Sequence, residues 1–280
     1  MVFHQIVEGN ISLRHFVLFM FSCNVQFLMY ESSAAQSVMD HVDLTSEEMT
    51  QAEMTREELV DALSRASVDM PLDLTSKRLS GLNLQNIDFR AANLRWARLN
   101  NADLRGANLR NAILDSAWLI DANLEGSDLR GASLASTQMQ RANLQNADLS
   151  GARIVANLER ADLRGADLSN ANMSADMKNQ SMGLMRTIVR MAKLDGADLR
   201  NSDAMRMDAE FASMRKVMLD NANFRGVELT GADLTGASVA GLDLSGSDVS
   251  GAYLVDLVGK DGIVGLDTVK NLAEAVTDRP

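Results

Sequence analysis

From Leu79 onward a large apolar residue returns at every fifth position: Leu79, Leu84, Phe89, Leu94, Leu99, and so on to Ile154. A small residue, usually Ala, stands two places before it and Asp or Asn one place before it, as in Ala102-Asp103-Leu104-Arg105-Gly106. A period of five fits neither common template. In an α-helix five residues advance about 500°, so the Leu column would spiral over every face. In a straight strand, where side chains alternate, successive Leu would point to opposite sides. One core results only if the chain turns a corner in every repeat, bringing each Leu and its preceding Ala back inward. That is a solenoid, whose coils bury their apolar side chains against their neighbours.

The residue types agree. Ala is small where the Leu of the same repeat already fills the coil. Gly, Asn and Ser at the corners tolerate backbone angles that other residues resist. The only two prolines, Pro71 and Pro280, lie outside the array, as a ladder that needs its backbone N–H groups requires. This pattern resembles the pentapeptide repeat family, whose phrase is A(D/N)LXX. The resemblance covers about two-thirds of the chain. It implies a fold: an all-β solenoid, a right-handed quadrilateral parallel β-helix with four repeats per coil. With about 4.8 Å between strands, the rod is on the order of 40 Å long. Short capping helices are expected at both ends.

Charge and reactive residues narrow the function classes. The chain carries a net charge of −11, but the acidity is local. Residues 36–71 hold nine Asp/Glu against two Lys/Arg, whereas 72–257 hold 23 against 21. The rod itself is nearly neutral. Cys23 is the single cysteine, and His4, His15 and His41 all precede the array. The repeats therefore lack the commonest general base and metal ligand. They show no Ser-His-Asp set, metal cluster or phosphate loop. Neither catalytic residues, a cofactor nor a metal is expected, and no basic face emerges for direct binding of nucleic acid.

Ahead of the array, residues 1–35 have the outline of a signal peptide. Arg14 precedes apolar runs at Phe16–Phe21 and Val25–Tyr30, then Ser33-Ala34-Ala35 offers a cut before Gln36. A membrane anchor is the rival reading. Export places the protein in the periplasm or outside the cell, with no membrane span after signal removal; retention leaves it cytoplasmic. Residues 36–71 form an acidic lead and a helix: Thr55 and Glu58 make a capping box, followed by Leu59, Leu63 and Ala66 at helical spacing. Such a helix would cover the open first coil and its strand edge. Residues 72–257 are the repeat array. After Leu254 the frame ends, and 258–280 read as a C-terminal cap, a short helix begun at Asp267 with Leu266, Val269, Leu272 and Val276.

The phrase breaks twice. From Ile154 to Leu158 the spacing is four, one corner residue short. From Met173 to Leu194 it fails more broadly, which predicts a wall loop near 175–183 with Met177, Lys178, Asn179, Gln180 and Met182 as candidate contact residues. Ala204 and Ala209 stand where Leu is expected, amid Met205, Met207, Met214 and Met218. If residues twenty apart stack, Arg90, Arg110 and Arg130 form a column beside Asp88, Asn108, Asp128 and Asp148, a mixed charge ladder. Trp118 then lies over Arg98, with Trp96 two residues away; Trp and Arg together are favoured at binding hot spots. This patch and the wall loop are the candidate interaction sites. The functional expectation is a non-enzymatic structural or protein-interaction scaffold, its protein partner unknown and a homodimer left open. The alternative, implied by the family resemblance, is a cytoplasmic DNA mimic acting on DNA gyrase.

Overall fold

The computed structural model describes residues 42–67, 70–176 and 185–278. The repeats belong to the unit Asp43–Pro280. Its backbone is laid down in rungs. Asp73 bridges Asn93 in parallel, Asn93 bridges Ile113, and Ile113 bridges Ser133. Three further ladders run beside this one from Arg78, Asn83 and Asp88, each stepping by twenty residues. Each rung is held to the next by three bonds per repeat, among them Asn111 N–H to the Arg130 carbonyl at 2.9 Å. Leu109 N–H donates to the Asp128 carbonyl at 2.7 Å, and Asn108 N–H donates to the Ile87 carbonyl at 2.9 Å.

The five-residue phrase maps onto this directly. Leu109 and the flanking Ala107 and Ala112 are fully buried, and the same holds along the array in one continuous apolar cluster. Between Leu109 and Ala112 the chain turns, closed by Ala112 N–H to the Leu109 carbonyl at 2.9 Å. The third residue of the turn, Asn111, sits at φ 56°, the left-handed region where Gly and Asn are least strained. The Asp or Asn before each Leu has its own task. Its side-chain oxygen accepts the N–H two residues on, as Asn108 Oδ1 does from Arg110 at 3.2 Å and Asp88 Oδ1 from Arg90 at 3.1 Å. This Asx turn satisfies a corner N–H that the ladder leaves over.

At the N-terminal end, α1 (Glu47–Thr50) and α2 (Arg56–Ser64) precede the array. The capping box of α2 is formed on both sides, Thr55 Oγ accepting from Glu58 N–H and Glu58 from Thr55 N–H. Leu59 is fully buried in the same apolar cluster as Leu74 and Leu79, and Arg56 donates to the carbonyls of Asn83 and Gln85. Thus α2 lies on the first rung's apolar end.

The C-terminal end departs from expectation. No α-helix forms over the described residues after 257; three 3₁₀ turns occur instead, at Lys260–Gly262, Leu266–Thr268 and Leu272–Glu274. Asp267 lies inside the second turn, and the residue before that turn is Gly265. The segment is one more rung: Val258, Val264, Lys270 and Val276 bridge in parallel to Ser238, Asp243, Asp248 and Tyr253. Its step is six residues, the extra one being taken up in each 3₁₀ turn. The physical reason is at the corners, where Gly259, Gly265 and Asn271 take φ of 80°, 76° and 59° and stop a helix from propagating.

The two breaks in the phrase are accommodated differently. Where a corner residue is missing, the wall straightens: β1 (Ser133–Gln138) and β2 (Arg153–Asn157) pair in parallel as ordinary strands, with a bulge between Ala135 and Gln138. The ladders then step nineteen residues, Asn143 to Asp162, before the second break lengthens the step to 31, Asn157 to Ile188. An antiparallel bridge, Asp176 to Met185, flanks the insertion. The candidate loop residues Met177, Lys178, Asn179, Gln180 and Met182 lie outside the described residues, as do residues 1–35. In the second half Met207 and Met214 are fully buried. Met207 occupies an Ala position between Ala204 and Ala209, so a large residue at the small site compensates for small residues at the large one. No helix among the described residues is long and apolar enough to cross a membrane.

Candidate functional site

One wall carries both notable side-chain groups. Its ladder runs Arg78, Arg98, Trp118, Gln138, Asn157, Ile188, Asp208, Glu228, Asp248 and Lys270. Arg98 and Trp118 are direct parallel neighbours on it. Trp96 sits on the corner before Arg98, at φ 55° and 55% exposed, while Trp118 is half-buried. The twenty-residue register therefore brings all three into adjoining rungs. Sequence reasoning missed a fourth participant. Arg98 Nη2 lies 3.3 Å from Glu48 Oε2, and Asn100 Nδ2 donates to the carbonyl of buried Met49 at 3.2 Å. So α1 lies along this wall and engages the arginine, leaving Trp96 as the open part of the patch.

Farther along the same wall, five charged side chains converge. Arg186 and Arg190 flank Ile188, where the chain returns from the insertion. Asp208 and Glu210 belong to the next rung and Glu228 to the one after. Asp208 is fully buried, and its Oδ2 meets Arg186 Nη2 at 2.9 Å and Arg190 Nε at 2.7 Å. Arg186 Nη1 reaches Glu228 Oε1 at 2.7 Å, and Arg190 Nε lies 3.4 Å from Glu210 Oε2. Burial pulls the Arg186 guanidinium down, but Glu228 and Asp208 outweigh it and its pKa is raised. One carboxylate oxygen from each of Asp208, Glu210 and Glu228 lies within 4.8 Å of the others, a hard donor set of the kind that divalent cations use. Two arginines already lie against those three carboxylates, so the arrangement is an ion-pair cluster with one carboxylate in excess. No signal in the sequence marks it, because its members come from three rungs joined across the insertion.

In the predicted arginine column, Arg90 and Arg130 are ion-paired and, among the described residues, Arg110, which follows Asn108, is not. Arg90 pairs with Asp88 at 2.7 Å, and Arg130 pairs with Asp128 at 2.5 Å and Asp148 at 3.4 Å. The same two-apart pairing recurs at Arg105–Asp103, Arg164–Asp162 and Arg200–Asp198. Hydrogen bonds from Arg105 hold the Asp103 carboxyl down at about 2. In the ladder that holds the column, Asp128, Asp148, Asp167 and Asp198 follow one another in four successive rungs.

Rungs built from this phrase occur in known proteins. The family model described as pentapeptide repeats matches in 8 copies, over residues 78–115, 87–126, 117–154, 156–175 and 212–251. The chain belongs to the pentapeptide repeat family. The matched stretches break where the register does, beside the short corner and across the insertion. Members of this family are in general structural or interaction proteins. Among solved structures the chain is similar to HetL, a pentapeptide repeat protein involved in heterocyst differentiation regulation from the cyanobacterium Nostoc sp. strain PCC 7120, at 24% identity over 80% of this chain and 95% of that one, TM-score 0.44. It is similar to alr5209, a pentapeptide repeat protein from Nostoc PCC 7120, at 38% identity over 41% of this chain and 81% of that one, TM-score 0.27. It is also similar to QnrB1, a plasmid-mediated fluoroquinolone resistance protein, at 17% identity over 71% and 91%, TM-score 0.27. A comparison with curated proteins finds no match.

Proposed function

We propose that this protein is a non-enzymatic scaffold, exported from the cytoplasm, which presents one wall of a right-handed quadrilateral β-helix to a protein partner. The observation that carries the reading is the ladder itself, stepping in parallel from Asp73 to Val276. It fixes wall side chains at set intervals with backbone bonds rather than loops, an arrangement suited to a rigid binding surface. The exposed Trp96, with Trp118 and Arg98 beside it, is the anchor of that surface. Affinity capture from the native source, with wild type and a Trp96→Ala/Trp118→Ala variant, tests the patch. A partner held by the first and lost from the second supports it; an identical set from both removes it. The mass of the natural N-terminus tests export, for which the expected first residue is Gln36.

A second reading rests on the aspartate column Asp128, Asp148, Asp167 and Asp198. Carboxylates one strand spacing apart resemble a phosphate backbone, and a cytoplasmic DNA mimic acting on DNA gyrase would use them. Arg130 and Arg200 neutralise two of the four, which favours the scaffold. A supercoiling assay separates the two readings: inhibition of gyrase that disappears in Asp148→Asn/Asp167→Asn would support the mimic.

A further inference from the structure

The wall beyond the ion-pair cluster opens into a groove of about 480 Å³ whose lining includes Arg186, Arg206, Arg225, Lys270 and Glu228. It exists because two successive corners are glycine. Arg206, Gly226 and Gly246 occupy one corner column, each with positive φ. A Cβ built on Gly246 would meet nothing within 4 Å, and one on Gly226 only the Arg206 Cγ at 3.5 Å. Side chains at those corners would fill the space. Of the four cations, two are engaged: Arg186 with Asp208 and Glu228, and Arg225 with Asp243 at 2.8 Å. Arg206 and Lys270 form no ion pair within 4.0 Å among the described residues, although Lys270 lies near enough to its ladder neighbour Asp248 to help lower that carboxyl.

We propose that this groove binds a compact polyanion, a small molecule bearing two or more phosphate or carboxylate groups. Guanidinium forks and an ammonium group suit such oxyanions, and the volume is in the range of small-molecule sites. No aromatic ring lines the groove, so it offers nothing on which a base could stack. Arg206 and Lys270 stand three rungs apart, about 14 Å between backbones. Two extended side chains close that gap to the length of a short polyanion, whereas a single phosphate would meet only one of them. Glu228, Asp243 and Asp248 set the specificity by repelling anions that cannot reach both Arg206 and Lys270. The inference does not depend on what the walls bind.

Isothermal titration of the full chain with tripolyphosphate and with citrate, at matched ionic strength in chloride, tests the proposal. Saturable binding is expected, weakened at least tenfold in Arg206→Gln/Lys270→Gln. Gly246→Asn should also weaken it by filling the groove; Asn is accepted at positive φ at several other corners, among them Asn86 and Asn111, so the fold is retained. Arg110→Gln, on another wall, should bind as wild type does. Tighter binding of tripolyphosphate assigns phosphate and tighter binding of citrate assigns carboxylate, and either supports the site. No saturable binding by wild type, full affinity in the double variant, or an equal loss in Arg110→Gln would overturn it.

Discussion

At the scale of single residues, the Asp or Asn of each repeat does two things at once. It closes an Asx turn at the corner, and where Arg follows two places later it accepts that side chain as well, as Asp103 does from Arg105 Nε at 2.8 Å. The pH dependence of stability is set by these pairs. Asp103 is held at about 2 against an ordinary 3.8, and Asp88, Asp128 and Asp198 are lowered for the same reason, hydrogen bonds from their arginines. A carboxyl lowered on folding contributes stability above its ordinary value and loses it as pH falls toward its folded value. The thermal midpoint should therefore be flat from pH 7 to 5 and fall between about pH 4 and pH 2, less steeply in high salt because these pairs face solvent. A midpoint unchanged down to pH 3 would contradict this. The buried cluster behaves differently. Asp208→Ala leaves Arg186 and Arg190 without their common partner at a site with 0% exposure for the aspartate, and should cost about 3–5 kcal/mol. Glu228→Ala, at a half-exposed end of the cluster, should cost about 1 kcal/mol or less; urea titration of both distinguishes them.

At the scale of elements, the two ends show what the sequence made legible and what it concealed. The α2 capping box was readable because Thr55 and Glu58 hold the required spacing and Leu59 and Leu63 follow on one face. The last rung was concealed by a coincidence of periods. Leu266, Val269, Leu272 and Val276 satisfy a helical stripe, yet Val258, Val264, Lys270 and Val276 also repeat at six, each of the first three followed by Gly or Asn. The second pattern wins because left-handed corners at Gly259, Gly265 and Asn271 are incompatible with a helix and because the rung supplies partners for the ladder. Val239, Leu244, Val249 and Leu254 N–H groups all donate into it. The Trp96–Arg98–Trp118 grouping was legible once the four-repeat coil implied by the family resemblance set a twenty-residue register. Glu48 was not, since it approaches from outside the repeat, and the Asp208 cluster was not, since its arginines enter only after a 31-residue step. Removing residues 258–280 should expose those four N–H groups and the apolar core beneath, and an unpaired edge of that kind recruits another chain. Size-exclusion chromatography is expected to show self-association of the truncated protein at concentrations where the full chain elutes unchanged.

At the scale of the whole repeat unit, stability is a sum over neighbours. Each rung contacts only the rung before and the rung after it, so the array has no central core whose loss would be global. A consequence is that the number of rungs is adjustable while the register is not. Deleting residues 232–251 joins Gly231 to Ala252, which keeps Leu229 and Leu254 five apart in the phrase and returns every ladder to its own wall. At about 0.05–0.15 kcal/mol per residue, losing twenty residues should remove about 1–3 kcal/mol and leave one cooperative transition. Deleting only 102–106 also preserves the five-residue phrase, but it moves everything after it round by one wall. Arg98 would then bridge Asn123 in place of Trp118, and Asn100 would lose the Ile120 N–H that its Oδ1 accepts at 3.0 Å. The inward Leu and Ala are indifferent to that rotation; the walls are not. Both deletions should keep the far-ultraviolet spectrum of the parent, because the phrase alone specifies the rungs. Only the short one separates Trp118 from the Trp96–Arg98 corner, so a partner anchored on both tryptophans should be lost from it and held by the longer deletion, which leaves the patch intact. Undiminished binding after the short deletion would mean that the placement of Trp118 over Arg98 is irrelevant to the interaction.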